Sequence, residues 1–137
     1  MDGTTQRILR YGMALLAVVF GLMTLKAGGS VLFGGEAARR AAGDYVPFVV
    51  WFNFIAGFAY VAAGLGIWWR WPPIRWLTVS IVAGSAVTYA AFGLHIWSGG
   101  AWEVRTVVAM AIRTGLWFGI AFGTFWLSGQ RRRQPAT

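Results

Sequence analysis

Residues 45–69 read YVPFVVWFNFIAGFAYVAAGLGIWW and contain no charged side chain. A helix of roughly 20 apolar residues crosses the hydrocarbon core of a bilayer, which is about 30 Å thick. Transmembrane β-strands alternate apolar and polar residues over only about ten positions, and this continuous apolar run does not. The stretch therefore predicts a transmembrane helix.

Three further stretches have similar length and apolar character, namely residues 8–26, 76–97 and 104–128. Short turns join the last three helices, one with two prolines at 70–75 and one with two glycines at 98–101. The helices joined in this way must run as antiparallel neighbours. The sequence thus predicts an all-α fold, an integral membrane antiparallel four-helix bundle, with residues 1–137 in a single membrane domain.

The composition of the 137 residues also indicates a membrane protein. Charged residues make up 12% of the chain and hydrophobic residues 58%, whereas an average soluble domain has about 25% charged residues. These values exclude a soluble globular enzyme and a disordered chain. Because the chain has no cysteine and one histidine, thiolate and His-rich metal sites are excluded, and we expect neither a metal nor a cofactor.

The first stretch also has the features of a signal peptide, because Arg7 and Arg10 precede an apolar run. Lys26, however, stands immediately before the small residues at which cleavage would occur, and this charge argues against cleavage. We therefore expect a retained first helix.

Positive charge predicts the orientation of the helices, since lysine and arginine concentrate in cytoplasmic loops. One side of the bundle holds seven basic residues, which are Arg7, Arg10, Arg70, Arg75, Arg131, Arg132 and Arg133. The other side holds four, which are Lys26, Arg39, Arg40 and Arg105. We predict a multi-pass protein of the cytoplasmic (inner) membrane with both termini in the cytoplasm. The basic run 131–133 is then expected to contact anionic lipid headgroups of the bilayer, and no nucleic-acid partner is expected.

The outer connection 27–44 is the only long one. Its centre, EAARRAA at 36–42, consists mainly of strong helix formers and is closed by Gly43. We predict a short interfacial helix here, either as a plain connector or as a lid over the outer end of the bundle.

Small residues at four-residue spacing mark candidate helix contacts, because lipid supplies little hydrophobic drive between helices. The helix-packing candidates are Gly84, Gly115, Gly119 and Gly123. The last three lie on the fourth helix, where they pack either inside the bundle or against a second copy in a homodimer. Internal packing is the preferred interpretation.

Arg113 is the most informative polar residue. It lies ten residues beyond Glu103, which is about 15 Å along a helix, and its charge is permanent. Ionisable groups within a membrane span are costly and are candidates for function. Arg113 therefore needs an acceptor or a water-filled cavity, and Trp117, one turn further on, can stack on its guanidinium.

Other polar residues fall at compatible depths in the outer half of the bundle. The ligand-binding candidates are Asn53, Thr88, His95, Glu103, Arg105 and Arg113. In one interpretation, Arg113 donates to Asn53, Glu103 or backbone carbonyls, and the polar groups only tie helices together. In the other, they line an outward-open pocket for a small anion or a polar headgroup.

Two segments carry a resemblance to known proteins. The first runs from GGSVLF at 28–33 through AGDYVPFVVWFNF at 42–54. The second runs from Leu94-His95 through SGGAWE at 98–103 to Arg105-Thr106 and Arg113-Thr114. They resemble a group of small four-helix bacterial membrane proteins without an assigned activity, and the layout is more remotely similar to that of DoxX-like membrane proteins. The resemblance implies a four-helix membrane fold and no catalytic residues. Small multidrug-resistance transporters share the size and helix count, but they depend on a glutamate in the first helix, and no acid lies within any span here.

These observations favour a non-enzymatic membrane component that binds a small anionic or polar ligand, or a lipid headgroup, in an outward-facing pocket. Such a protein would serve in transport or as an accessory subunit. One alternative is a membrane redox or quinone-handling protein, for which Tyr89, His95 and Glu103 are the candidate proton-handling groups. A second alternative is a structural subunit of a larger membrane complex.

Overall fold

Helices make up nearly all of the chain in the computed structural model, which describes residues 3–132. They are α1 (Gly3–Phe33), α2 (Gly35–Ala42), α3 (Pro47–Trp68), α4 (Ile74–Trp97) and α5 (Val104–Arg132). All except α2 are long and apolar enough to cross a membrane, which confirms the predicted all-helical membrane bundle. Arg133, the last residue of the predicted cytoplasmic basic run, lies outside the described residues.

The two ends of the bundle carry different elements. Helix α2 and the α4–α5 turn lie together at one end, which we call the α2 end. The start of α1, the α3–α4 turn and the last turns of α5 lie together at the other end, which we call the termini end.

Buried residues on α1, α4 and α5 repeat with alternating spacings of three and four. On α4 they are Ile74, Thr78, Ile81, Ser85, Thr88 and Phe92. On α1 they are Ala14, Ala17, Gly21, Thr24 and Gly28. On α5 the series contains Met110, Arg113, Trp117, Ile120 and Thr124. This heptad pattern is typical of the left-handed packing found in most transmembrane bundles.

The buried and exposed faces have the opposite composition to those of a soluble protein. Small and hydroxyl-bearing residues such as Ala17, Thr78 and Ser85 are fully buried. Large apolar side chains such as Val87 and Phe122, which are 69% and 74% exposed, point outward. Such outward-facing apolar surface is stable in lipid, where it meets acyl chains instead of water.

The closest helix contact joins α1 to α3 through glycines on both helices. A Cβ atom at Gly64 would lie 2.6 Å from Val18 Cγ2 and 2.8 Å from the carbonyl oxygen of Ala14. A Cβ at Gly21 would lie 2.8 Å from Val61 Cγ2. Only glycine allows the two backbones to approach this closely.

The predicted glycine contacts of the fourth helix are found only in part. Gly115 and Gly119 are exposed, and a Cβ at either would meet no atom within 4 Å, so within one chain they do not mark an internal helix contact. A Cβ at Gly123 would touch Met13 Sδ on α1, and one at Gly84 would lie 3.3 Å from the Phe52 ring.

Helix α1 continues past Lys26, where the sequence predicts its end, and stops at Phe33. The glycines that follow Lys26 do not break the helix. A Cβ at Gly28 would lie 3.1 Å from Phe54 Cβ, so this glycine serves the contact with α3. The helix α2 occupies the connection in which a short helix is predicted.

Candidate functional site

Arg113 lies in the interior of the bundle and is 6% exposed. Its Nη1 donates hydrogen bonds to Asn53 Oδ1 on α3 and, at 3.2 Å, to Met110 Sδ one turn earlier on α5. The guanidinium carbon is 6.0 Å from the centre of the Phe20 ring on α1. Three helices therefore contribute to the surroundings of this one cation.

Within residues 3–132, Arg113 has no carboxylate partner. The one ion pair of this part of the chain joins Arg40 to Glu36, 3.8 Å apart on the exposed helix α2. Glu103 is occupied elsewhere, since its Oε1 accepts a hydrogen bond from the backbone N–H of Asp44 at 3.1 Å. The Arg113 charge is therefore uncompensated by the described residues.

Further polar groups lie in the same layer as Arg113. The ring of Tyr60 on α3 packs against that of Trp117 on α5, with the ring centres 4.6 Å apart. The Tyr60 hydroxyl lies next to Ser85 of α4 and close enough to Arg113 to interact with it electrostatically. Tyr60, Ser85 and Trp117 are each 0% exposed.

Arg113 Nε and Trp117 Nε1 of this layer are buried without a hydrogen-bond partner among the described residues, and the hydroxyls of Tyr60 and Ser85 have no partner there apart from each other. Buried polar groups are nearly always paired, because an unpaired one loses its hydrogen bond to water and gains nothing in return. All four can act as donors, and the arginine and tryptophan nitrogens can only donate. We call Arg113, Asn53, Tyr60, Ser85 and Trp117 the polar layer.

Two apolar clusters flank the polar layer along the bundle. The cluster toward the α2 end consists of Val46, Val49, Phe92 and Met110. The larger cluster contains the Tyr60 and Trp117 rings of the polar layer itself and extends toward the termini end through Ala14, Ala63, Ile67, Ile74 and Ile81. Apolar side chains of this first cluster thus lie between Arg113 and the α2 end.

Glu103 and Arg105, both ligand-binding candidates, fasten α2 to the start of α5. Arg105 Nη2 donates to the carbonyl oxygens of Ala41 and Ala42 at 2.9 and 2.7 Å. These carbonyls belong to the last turn of α2 and have no partner within the helix. Together with the bond from Asp44 N–H to Glu103, this clamp holds α2 against the bundle.

His95 organises the α4–α5 turn. Its Nε2 lies 3.1 Å from the Ala101 carbonyl oxygen, and its own carbonyl oxygen accepts a hydrogen bond from Ser98 Oγ at 2.8 Å. Thr88 is buried on the inner face of α4 and is 9% exposed. The six ligand-binding candidates thus divide into Asn53, Thr88 and Arg113 inside the bundle and three residues engaged at the α2 end.

The ligand-binding candidates predicted from the sequence do not include two members of the polar layer, Tyr60 and Ser85. The signal for Ser85 lies in α4, where the buried heptad series includes position 85, while the four-residue stripe that drew attention to Gly84 passes beside it. The predicted partner of the guanidinium also differs, because Trp117 packs on Tyr60 and the ring facing Arg113 is Phe20.

No model of a protein family matches the chain, and no curated protein and no solved structure matches it either.

Proposed function

We propose that this protein is a non-enzymatic integral membrane component that binds a small anion, or the anionic group of a polar ligand, against Arg113 in the polar layer. The observation that carries the proposal is a permanently charged guanidinium, 6% exposed, with no counter-charge among the described residues. Binding of this kind suits a transport or accessory component.

The cost of an unpaired charge supports this proposal. A buried ion loses several kcal/mol of hydration, and only a well-placed opposite charge with good hydrogen bonds offsets that loss. Asn53 and Met110 supply acceptors to Nη1 but no charge. An anion would supply charge and acceptors together.

The chemistry of the unpaired atoms selects the same class of ligand. Arg113 Nε, Trp117 Nε1 and one hydroxyl of the Tyr60–Ser85 pair together offer three donors and no carboxylate. A ligand rich in acceptors, such as a halide or a carboxylate, can use all of them. A ligand that only donates would meet arginine and tryptophan nitrogens that cannot accept.

We further propose that the ligand enters from the α2 end. Met110 stands between that end and Arg113, and an unbranched thioether side chain changes rotamer easily. The distribution of basic residues supports a cytoplasmic-membrane protein of a bacterium, with the α2 end outside and both termini in the cytoplasm. The resemblance to small four-helix bacterial membrane proteins, remotely DoxX-like in layout, fits this placement.

The test is an anion titration of thermal stability in a non-ionic detergent at constant ionic strength. Gluconate, a large anion, is exchanged for chloride or acetate. A ligand that binds only the folded state adds about 2.7 kcal/mol when present at a hundred times its Kd. We expect the Tm of the native protein to rise with one of the small anions and the Tm of Arg113→Leu to be independent of the anion.

The matched control is Arg39→Gln, which removes one arginine from the exposed helix α2 and should keep the anion response. If Arg113 only ties helices together, the native protein will show no anion response, and Arg113→Leu will be as stable or more stable, since buried ionic groups are often replaceable by apolar ones. Native mass measurement on the same samples separates the alternatives, because a bound quinone or a larger protein partner has its own mass.

A further inference from the structure

A second site lies at the termini end, at the opposite end of the bundle from α2. A cavity of about 450 Å³ opens there between the start of α1, the α3–α4 turn, the start of α4 and the last turns of α5. Four arginines line it: Arg7, Arg10, Arg70 and Arg75. Its volume falls within the roughly 300–1,000 Å³ of small-molecule sites.

The charged residues that line this cavity within residues 3–132 are all arginines. No Asp or Glu is among the described residues that line it. The acids of the described range, Glu36, Asp44 and Glu103, all belong to the α2 end. Four like charges that share one cavity repel one another, and a multivalent anion would offset that repulsion.

Two of the arginines are held by aromatic rings. The guanidinium carbon of Arg10 lies 4.7 Å from the centre of the Tyr11 ring, and that of Arg75 lies 5.7 Å from the centre of the Phe125 ring. Arg10 Nε is also buried without a hydrogen-bond partner among the described residues. An arginine that only reaches toward lipid headgroups would keep this donor in water, so Arg10 has the environment of a binding residue.

Arg70, which lines this cavity, has a left-handed backbone conformation that favours glycine. It has φ of 61°, the one positive φ among the described non-glycine residues. Helix α3 ends with hydrogen bonds from Trp71 N to Gly66 O and from Arg70 N to Ile67 O, which form a Schellman motif with Arg70 in the left-handed position.

Helix α4 ends with the same motif, and there the left-handed position is taken by Gly99, with φ of 84°. Glycine is the residue that this position favours. The chain therefore uses glycine at one of two equivalent helix ends and accepts a strained arginine at the other, which lines the cavity.

We infer that this cavity binds a phosphate group, through the guanidinium groups of Arg7, Arg10, Arg70 and Arg75. The planar guanidinium donates two parallel hydrogen bonds to phosphate oxygens, and several arginines match the multiple charges of a phosphate better than those of a single carboxylate. The phosphate is carried either by an anionic lipid headgroup or by a soluble phosphate compound. This site is separate from the polar layer and does not depend on the function proposed there.

The experiment measures binding to the full chain in dodecyl maltoside by native mass spectrometry. The probes are phosphatidylglycerol, diacylglycerol with the same acyl chains but no phosphate, and inorganic pyrophosphate. The variants are Arg10→Gln and Arg70→Gly, and the control is Arg40→Gln on the exposed helix α2. Glycine relieves the backbone strain at position 70, and the Tm of Arg70→Gly, measured on the same sample, separates loss of binding from misfolding.

We expect a phosphate-bearing probe to bind the native protein and the control, diacylglycerol not to bind, and each of the two variants to bind about tenfold more weakly, as expected when a hydrogen bond to a charged group is lost. Binding of phosphatidylglycerol alone identifies a lipid headgroup, and binding of pyrophosphate identifies a soluble compound. Either result supports the site. The inference is overturned if neither probe binds, or if both variants bind as tightly as the control.

Discussion

Arg70 is the residue at which backbone and side chain conflict most directly. A non-glycine residue in the left-handed region costs about 1–2 kcal/mol. Since Gly99 shows the unstrained form of the same helix end, Arg70→Gly should raise the free energy of unfolding by about 1 kcal/mol. Thermal unfolding in detergent measures this change.

The reciprocal substitution is the control for this prediction. Gly99→Ala puts a side chain into the left-handed position of α4 and should lower stability by a similar amount, since a Cβ there meets no other atom within 4 Å and only backbone strain changes. If Arg70→Gly instead destabilised the protein, the Arg70 side chain would have to make a stabilising contact at the termini end.

At the residue scale, position along the bundle could be predicted from the sequence and neighbours could not. Counting residues from the helix ends predicts Asn53 and Arg113 at similar levels of the bundle, and the structure joins them by a hydrogen bond. Rotation about the helix axis decides which rings and hydroxyls meet, and it depends on packing with other helices. For this reason the sequence does not predict Phe20 as a neighbour of Arg113 or Ser85 as a neighbour of Tyr60.

At the scale of the helices, the close approach of α1 and α3 depends on glycine. Gly64→Ala should lower the Tm, because the new Cβ would lie 2.6 Å from Val18 Cγ2 and 2.8 Å from a backbone oxygen that cannot move aside. Overpacking of this kind costs about 1–3 kcal/mol. The measurement is thermal unfolding of the purified protein in detergent.

Gly119→Ala is the matched control, since the same added methyl meets no atom of the chain within 4 Å. It should leave the monomer as stable or up to about 1 kcal/mol more stable, because alanine favours the helix. A Tm loss equal to that of Gly64→Ala would contradict the packing described here. Dissociation of an oligomer by Gly119→Leu, with the monomer intact, would identify the stripe as a dimer face.

Helix α2 depends on its clamp more than on its own sequence. Arg105→Ala removes both hydrogen bonds to the carbonyls of Ala41 and Ala42. Amide hydrogen exchange in residues 35–44 should then become at least tenfold faster, while exchange in α3 stays slow.

The comparison variant for this clamp is Arg40→Gln, which breaks the exposed ion pair with Glu36 and the exposed hydrogen bond from Arg40 Nε to the Glu36 carbonyl oxygen. Exposed pairs of this kind contribute about 0.3–0.5 kcal/mol, so exchange should change little. Equal effects of the two variants would mean that α2 is not held by Arg105.

The existence of each helix could be predicted from the sequence, and the end of α1 could not. The run of apolar residues sets the number of spans, because lipid imposes that requirement on every segment separately. Lys26 and the glycines after it are typical of a helix end, yet α1 continues because Gly28 packs on Phe54 of another helix. Only the tertiary contact distinguishes a packing glycine from a terminating one.

For the whole molecule, the first prediction concerns its orientation in the membrane. The chain has no cysteine, so single cysteines can be introduced without background labelling. A membrane-impermeant thiol reagent added to intact cells should label Ala37→Cys on α2 and should not label Pro72→Cys in the α3–α4 turn. Labelling of position 72 without labelling of position 37 would show that the orientation is opposite to the predicted one.

The whole bundle places one cation between two apolar clusters and four more around a cavity at the termini end. The sequence contains all of these arginines, but it does not indicate which of them lie next to one another in the folded bundle. Along the sequence, four arginines contribute equally to the charge count that predicts the membrane orientation: Arg7, Arg10, Arg70 and Arg75. Their shared cavity appears only when α1 and the α3–α4 turn are brought together.

The central claim is that Arg113 holds an anion within the polar layer. The most direct measurement is anomalous X-ray scattering from crystals of the native protein and of Arg113→Leu grown with bromide in place of chloride. The account predicts a bromide peak in contact with the Arg113 guanidinium in the native protein and no peak at that position in the variant. A native structure without bromide there, with every donor of Arg113 bonded to protein oxygens, would contradict it.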